Sequence, residues 1–546
     1  MVGITSAGIG SGLDVEGIIS KLMSVEQAPL TKIRSTETET KTKISIYGMI
    51  QSSANSLQAA AETLRSSQSL NPMKSASSDT TKISATASST ATAGRYSLTV
   101  SQLAQAQRLV ADRVASPDTV IGTGSLNITL GSYDSVQNTF TADASKTPVT
   151  VTIGAGQQTL AGVRDAINNA NAGVQASIVN DGQGYRLSIV SKETGAVNSL
   201  QITTGDNDGT NTDGSGLSQF AYNPTATAGS GKNLTEKQPA LDALLKLNGI
   251  DIQKPGNTVT DAIDGVTFNL AQVTSTPVTI DVARDTDTLK TNLNTFVKAY
   301  NDLNGKLSDQ QTKGATLQSD TGPGALQRQL RSLVTKTLPA YSSQISDIGL
   351  SFDKTGVLSL NNTKLDAALT KNPAIVQNIF ADTGISTDAR VSFISATAKT
   401  PLATYDVNVS TAPGNGVSVQ GGFNNTIGIG LGNNLSAPVG SAMEGLNVKI
   451  ANGASGALGT LTFSRGIATS LSNWVDNLNA DGGALQTRTA SLNNQLKRMT
   501  ADETRLNNKL ADIEKRYRAQ YAALDTMIAS MNQTSSYLTQ QLSNSK

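Results

Sequence analysis

The chain has 546 residues with 43 basic and 42 acidic side chains, so no global charge directs it to nucleic acid or an anionic membrane. It has no Cys and no His, which excludes disulfide scaffolds, zinc sites built on those residues and His-dependent nucleophiles. No apolar run approaches the ~20 residues of a membrane span, and no secretory signal peptide is recognisable. We therefore expect no cofactor, no metal site, no membrane insertion and no enzymatic activity.

A Gly-rich lead opens the chain and ends at Asp14, which suits a helix N-cap. The next apolar residues recur at helical spacing: Ile18, Leu22, Val25. Residues 31–42 are polar and predict a weak, flexible joint, and the helical pattern resumes from Ile44 to Leu64. We expect residues 1–45 to form an N-terminal helix used for export and for contact with other subunits.

Residues 81–285 read as a β-rich head with two subdomains, because apolar and polar residues alternate with period two. The pair Asp181-Gly182 joins two such runs and predicts a hairpin. A short helix near Leu160 precedes them. Helical spacing in 46–80, 286–384 and 466–484 predicts a helical body, and 385–465 reads as an additional β-rich insertion.

The last predicted element, within 485–546, is a long helix without Gly or Pro. One heptad position reads Leu485, Leu492, Met499, Leu506, Ile513, Gln520, Met527, Thr534, Gln541. A second reads Thr489, Leu496, Glu503, Leu510, Tyr517, Leu524, Met531, Leu538. Most of these residues are apolar, as in a coiled-coil seam, and the helix would be roughly 85 Å long.

A helix of that length needs a partner along its seam. We expect an α+β multidomain protein in which long N- and C-terminal helices form a coiled-coil leg, with β-rich domains inserted between them. The charged residues 497–518 suit either a solvated helix face or a device that selects the partner. The half of the helix up to about Arg518 is expected to pack within the protein, and the half beyond it to stay loose until it docks.

Several stretches in this chain, taken in order, resemble the flagellar filament cap protein family, also called flagellar hook-associated protein 2. The stretches are 10–14 with Ile18-Ile19, the flagellin-type repeat module 160–191, 247–250, 257–267, 296–301, 352–358, and 517–532. Residues 385–465 match no part of the common pattern. The resemblance therefore covers nearly the whole chain except this insertion.

The resemblance implies a ring-shaped homo-oligomer, usually of five copies, at the distal tip of the filament. It implies that the ring retains exported flagellin and promotes its folding and polymerisation. Further implied partners are the hook–filament junction proteins and a flagellar export chaperone. The protein would be extracellular and exported by the flagellar type III apparatus without a cleaved signal peptide.

Contact residues are predicted in both terminal helices. At the N-terminus they are Gly10, Gly12, Leu13, Asp14, Ile18 and Leu22. At the C-terminus they are Leu492, Leu496, Met499, Leu506, Leu510, Ile513, Tyr517, Leu524, Met531 and Leu538.

Three alternative interpretations are a calcium loop, a phosphate loop and an adhesin. The acidic loop from Asp206 lacks the Gly and Glu positions of a calcium loop, and 229–232 lacks the first Gly of a phosphate loop. A rival function is an extracellular adhesin that binds host mucin or glycans through the Ser/Thr-rich β head. It predicts that 81–285 binds host surfaces by itself, with the helical ends dispensable.

Overall fold

The computed structural model describes residues 12–336 and 344–544. The chain divides into two compact units, residues 71–286 and the remainder. Its α-helices are α1 (Val15–Glu26), α2 (Ala28–Thr63), α3 (Ser67–Leu70), α4 (Leu160–Asn169), α5 (Thr286–Asp309), α6 (Gly322–Thr335), α7 (Asn362–Lys371), α8 (Ile375–Phe380), α9 (Ile467–Asn479) and α10 (Ala484–Asn544).

The unit 71–286 contains sixteen strands. They are β1 (Met73–Ser77), β2 (Ile83–Ala87), β3 (Gly94–Gln102), β4 (Arg108–Val110), β5 (Gly124–Asp134), β6 (Thr139–Ala142), β7 (Val149–Ile153), β8 (Val174–Asn180), β9 (Tyr185–Ser191), β10 (Ser199–Asp206), β11 (Thr235–Gln238), β12 (Ala243–Leu247), β13 (Ile250–Lys254), β14 (Thr258–Ile263), β15 (Val266–Leu270) and β16 (Val278–Arg284). All the ladders are antiparallel.

These strands surround two separate hydrophobic cores. One core lies with a five-stranded sheet, in the order β1-β16-β3-β12-β13, and a three-stranded sheet, β14-β15-β2. The other lies with α4 and with two four-stranded sheets, β11-β4-β9-β8 and β10-β5-β6, the latter with β7 also paired to β5. The turn Asn248-Gly249 joins β12 to β13 with positive φ at both residues, as a two-residue hairpin requires.

The described residues of the other unit form all the helices except α4, together with eleven strands. They are β17 (Leu350–Phe352), β18 (Leu358–Leu360), β19 (Thr383–Ser386), β20 (Val391–Ser395), β21 (Thr404–Thr411), β22 (Gln420–Phe423), β23 (Thr426–Ile427), β24 (Ile429–Leu431), β25 (Asn434–Ser436), β26 (Asn447–Ile450) and β27 (Gly456–Ser464). The nine from β19 onward form an inserted β domain with sheets β19-β27-β21-β22-β23 and β20-β26-β25-β24 around its own core.

The helical body is built on one large core shared by α2, α5 to α10 and the β17–β18 hairpin. Helix α2 runs antiparallel to α9 and α10. Its residue Gln51 donates to Asn479 at 3.0 Å, and Arg34 near its other end pairs with Glu503 at 2.8 Å. The start of α10 is fixed in this core, where Leu485 is buried.

Two boundaries differ from the sequence expectation. The sequence predicts residues 71–80 as part of the helical body, but β1 pairs with β16 and so belongs to the β-rich unit. The joint expected at 31–42 is wrong, because α2 is continuous from Ala28 to Thr63. The helix break lies instead at Gln27, just ahead of Pro29, which suits the first turn of α2.

The polar stretch is helical because ion pairs along the helix and the packing of Thr40 support it. Threonines occupy every second position from Thr36 to Thr42. The hydroxyl of each donates a hydrogen bond to the backbone carbonyl four residues earlier, at 2.8–3.0 Å. Glu37–Lys41 and Glu39–Lys43 form ion pairs of 2.7 Å at i,i+4 spacing. Thr40 is buried, which places part of this stretch inside the helix pairing.

Candidate functional site on the terminal helices

The first turn of α1 is capped by Asp14. Its carboxylate accepts a hydrogen bond from the Gly17 amide at 2.9 Å, which satisfies one of the free amides at the helix start. Gly12 has φ +76°, a left-handed conformation that favours glycine. Leu13 is exposed, and Gly10 lies outside the described residues.

Helix α1 buries one row of apolar residues, and the predicted contact residues lie in another row. Val15, Ile19 and Met23 are buried, whereas Ile18 and Leu22 are half-buried. Both rows have apolar residues at helical spacing, so the α1 sequence alone does not decide which row meets α10. The predicted row therefore remains partly accessible on the outside of the leg.

A small group, the α1–α10 cluster, joins the terminal helices. Its buried members are Val15, Ile19, Met23, Leu30, Leu510 and Ile513. Leu506, Tyr517 and Tyr521 pack against it while partly exposed. This cluster is far smaller than the core of the helical body, so little apolar burial holds α1 in place.

The seam residues of α10 become more exposed toward the C-terminal end of the helix. The predicted contact residues from Leu492 to Tyr517 are buried or half-buried: Leu492, Leu496, Met499, Leu506, Leu510, Ile513, Tyr517. Beyond Tyr521 the same heptad positions are exposed, including Leu524, Met531 and Leu538. The expected division of the helix near Arg518 is confirmed as a division in packing.

Ion pairs accompany the apolar cluster. The Arg518 guanidinium donates to both Glu16 carboxylate oxygens, at 2.7 and 2.9 Å, and also to Glu514. The Tyr517 hydroxyl donates to Glu26 at 3.2 Å. Because Arg518 stabilises the charged carboxylate, it holds the pKa of Glu16 below its ordinary value.

Glu503 lies on the α10 seam, where a charge weakens apolar packing. It is held there by Arg34 of α2. Part of the charged region 497–518 thus pairs α10 with α1 and α2 of the same chain, through Glu503 and Arg518. These ion pairs support the interpretation that the charged residues select the partner of α10, here the helices α1 and α2 of the same chain.

The remaining 23 residues of α10, 522–544, form what we call the distal segment. At ~1.5 Å per residue it is about 35 Å long. Five large apolar side chains on one face of it are exposed to between 40% and 69%: Leu524, Met527, Met531, Leu538, Leu542. We call these five the distal stripe, which is an apolar surface suited to contact with another helix.

Within 12–336 and 344–544, no group of three or more acidic side chains is placed to hold a metal ion. No helix among the residues described is long and apolar enough to cross a membrane. In the former calcium-loop candidate, Asp206 and Asp213 accept hydrogen bonds from the neighbouring Ser218.

A helical leg joined to β-rich domains, with an apolar stripe at its end, defines a structural protein that acts by contact between chains. The family model of the flagellar hook-associated protein 2 C-terminus matches residues 240–533, and that of its N-terminus matches 11–107. The flagellin hook IN motif matches 127–193. The chain belongs to the flagellar hook-associated protein 2 family, which confirms the resemblance found in the sequence.

Individual relatives agree. The flagellar hook-associated protein 2 of Escherichia coli O157:H7 is 28% identical over 100% of this chain and 99% of its own length. The B-type protein of Pseudomonas aeruginosa is 31% identical over 71% of this chain and 82% of its own. The crystal structure of the D1-D2-D3 domains of the flagellar cap protein FliD from Escherichia coli matches with a TM-score of 0.59 and 25% identity, covering 82% of this chain and 99% of that one.

Proposed function

We propose that this protein caps the flagellar filament at its distal tip. As a homo-oligomeric ring, usually of five copies in this family, it retains exported flagellin and promotes its folding and polymerisation. Its membership of the family and its similarity to a structure titled a flagellar cap protein support this role. The adhesin alternative gains no support from these relatives, which all carry flagellar names.

The observation that carries the proposal is the distal stripe at the end of α10. Full burial of one large apolar side chain stabilises a contact by about 1.5–3 kcal/mol. Because the five side chains are already partly buried, docking them against a filament subunit yields a contact of moderate strength. A cap that moves as each flagellin is added needs contacts that break and re-form.

The α1–α10 cluster provides a second exchangeable contact. Its few apolar members can be replaced by those of a neighbouring helix at small cost, since the helical body retains its own core. We therefore assign filament contact to both terminal helices. In the same proposal the protein is extracellular, and its other partners are the hook–filament junction proteins and a flagellar export chaperone, with export without a cleaved signal peptide.

A stripe variant tests the proposal without removing the helix. Substituting Leu524, Met531 and Leu538 with Ser should leave thermal unfolding unchanged, because these side chains are exposed. It should shorten filaments and reduce swimming in a strain that depends on this chain. A matched control places Ser at Ala522, Gln533 and Gln540, exposed residues on the opposite side of the segment.

Truncations extend the test. Removal of residues 1–30 or 520–546 should leave the β-rich domains folded and abolish filament growth. Normal filaments from the stripe variant and from both truncations would refute filament contact through the helical ends.

A further inference from the structure

The sheet β11-β4-β9-β8 ends in two edge strands, β11 and β8. An edge strand offers backbone amides and carbonyls with which another chain can pair, and proteins protect such edges with charges, bulges or a covering element. Strand β11 has two of these protections. It carries the exposed Glu236 and Lys237, and its register shifts between Glu236 and Gln238.

Strand β8 has neither of the protections found on β11. Its sequence from Val174 to Asn180 contains no Asp, Glu, Lys, Arg or Pro. All seven of its residues pair with β9 without a register shift. A strand of this kind is a template for pairing with another chain unless something covers its outer edge.

Asn168, in the last turn of α4, covers part of this edge. Its Nδ2 donates to the Ala176 carbonyl at 2.9 Å, and its Oδ1 accepts from the Ala176 amide at 2.8 Å. One residue of a neighbouring antiparallel strand would offer the same donor and acceptor. The Gln175 side chain donates to the same Oδ1 at 3.1 Å and helps to hold the amide in place.

The position of Asn168 along β8 determines how much of the edge stays open. Both backbone groups of Ala176 bond to Asn168, so they point away from β9. Alternate residues share this direction, and the outward set is therefore Val174, Ala176, Ile178 and Asn180. Because Ala176 lies inside this set, a strand laid along β8 must first displace Asn168.

We propose that the outer edge of β8 is a strand-pairing surface that Asn168 keeps closed. When Asn168 is lost, β8 of a second copy of this chain adds to the sheet. This inference goes beyond the proposed cap role, although that role would bring further copies and unfolded polypeptide close to the edge.

The register of β8 favours a second copy as the occupant. Two identical edges can pair antiparallel about a two-fold axis through Ser177. Val174 of one copy then faces Asn180 of the other, and Ala176 faces Ile178. Every outward residue thus meets another outward residue, as the hydrogen-bonded pairs of an antiparallel ladder require.

The test begins with Asn168→Ala in the full-length chain, which removes both hydrogen bonds to Ala176. Its self-association constant in sedimentation equilibrium should exceed that of the native chain by at least about tenfold. The adjacent Asn169→Ala is the matched control, because Asn169 is exposed on the same helix, and it should associate like the native chain. Both variants should unfold cooperatively in circular dichroism.

A charge pair at Ser177 tests the identity of the occupant. In the Asn168→Ala background, Ser177→Lys should return association to the native level, because two lysines would lie directly opposite each other. Ser177→Glu should do the same. An equimolar mixture of these two double variants should restore the added association, since lysine then faces glutamate.

Three results would overturn the inference: native-level association of Asn168→Ala, added association that Ser177→Lys leaves unchanged, or a mixture that does not restore it. The last two would place the contact elsewhere on the chain. None of these measurements depends on filament growth. The cap role is tested by the stripe variant and the truncations, so the two proposals fail separately.

Discussion

Leu510 is 6% exposed and belongs to the α1–α10 cluster. Replacement with Ala removes apolar contacts and leaves a small cavity, which costs about 2–3 kcal/mol at such a site. The lost free energy weakens the packing of α1 against α10 and not the helical body, since the helical body has a separate core. We predict that Leu510→Ala speeds hydrogen exchange of the α1 amides by roughly thirtyfold or more.

The same substitution at Leu524 is the matched control. Leu524 lies on the same helix but is 40% exposed, so Leu524→Ala should change α1 exchange little. Equal effects from both variants would show that α1 is not held by the cluster.

The Glu16–Arg518 pair predicts a pH dependence for α1. The pKa of Glu16 is lowered in the folded chain, so its contribution to α1 docking is present above its unfolded pKa of about 4.3. That contribution is lost as the pH falls through the lower folded pKa. Proteolysis near Gln27 should therefore accelerate in acid.

The experiment must distinguish Glu16 from the other carboxylates nearby. Glu26 also accepts a hydrogen bond from Tyr517, and Glu514 also accepts one from Arg518. Glu16→Gln should reduce the pH dependence while keeping the side-chain shape. An acid response of the same size in this variant would contradict the assignment.

At the scale of the element, α2 and α10 are linked by one ion pair across the seam. Arg34 and Glu503 are 59% and 22% exposed, so solvent screens the pair and limits its strength. A double-mutant cycle with Arg34→Gln and Glu503→Gln should give a coupling of about 0–1 kcal/mol in thermal unfolding. A coupling well above that range would indicate a desolvated pair.

The helical elements show where sequence patterns suffice. The α10 seam was predictable because its heptad repeat runs without Gly or Pro, and the loss of burial beyond Tyr521 follows the appearance of Gln520 and Thr534. The joint was wrongly predicted at residues 31–42 because the ion pairs and the packing against α10 that support this part of the helix do not appear as apolar periodicity. The inward face of α1 was undetermined, since Ile18 and Ile19 are both apolar.

At the scale of the whole molecule, residues 71–286 form a compact unit with two complete cores. We predict that this fragment folds without the rest of the chain, because each core is enclosed by strands from within the unit. Circular dichroism should show a β-rich spectrum and cooperative unfolding. A fragment shortened to 81–286 lacks β1 and should unfold at a lower temperature, since β16 loses its partner.

Helix α10 also has a mechanical consequence. Its 61 residues form one helical rod of roughly 90 Å. Its first turn is packed in the core of the helical body, which we call the clamp, and its far end carries the distal stripe. Such a rod is a lever arm: a tilt of about 10° at the clamp sweeps the tip through roughly 15 Å. Small rotations of the body are thus amplified into steps at the tip that are large enough to exchange one docking position for another.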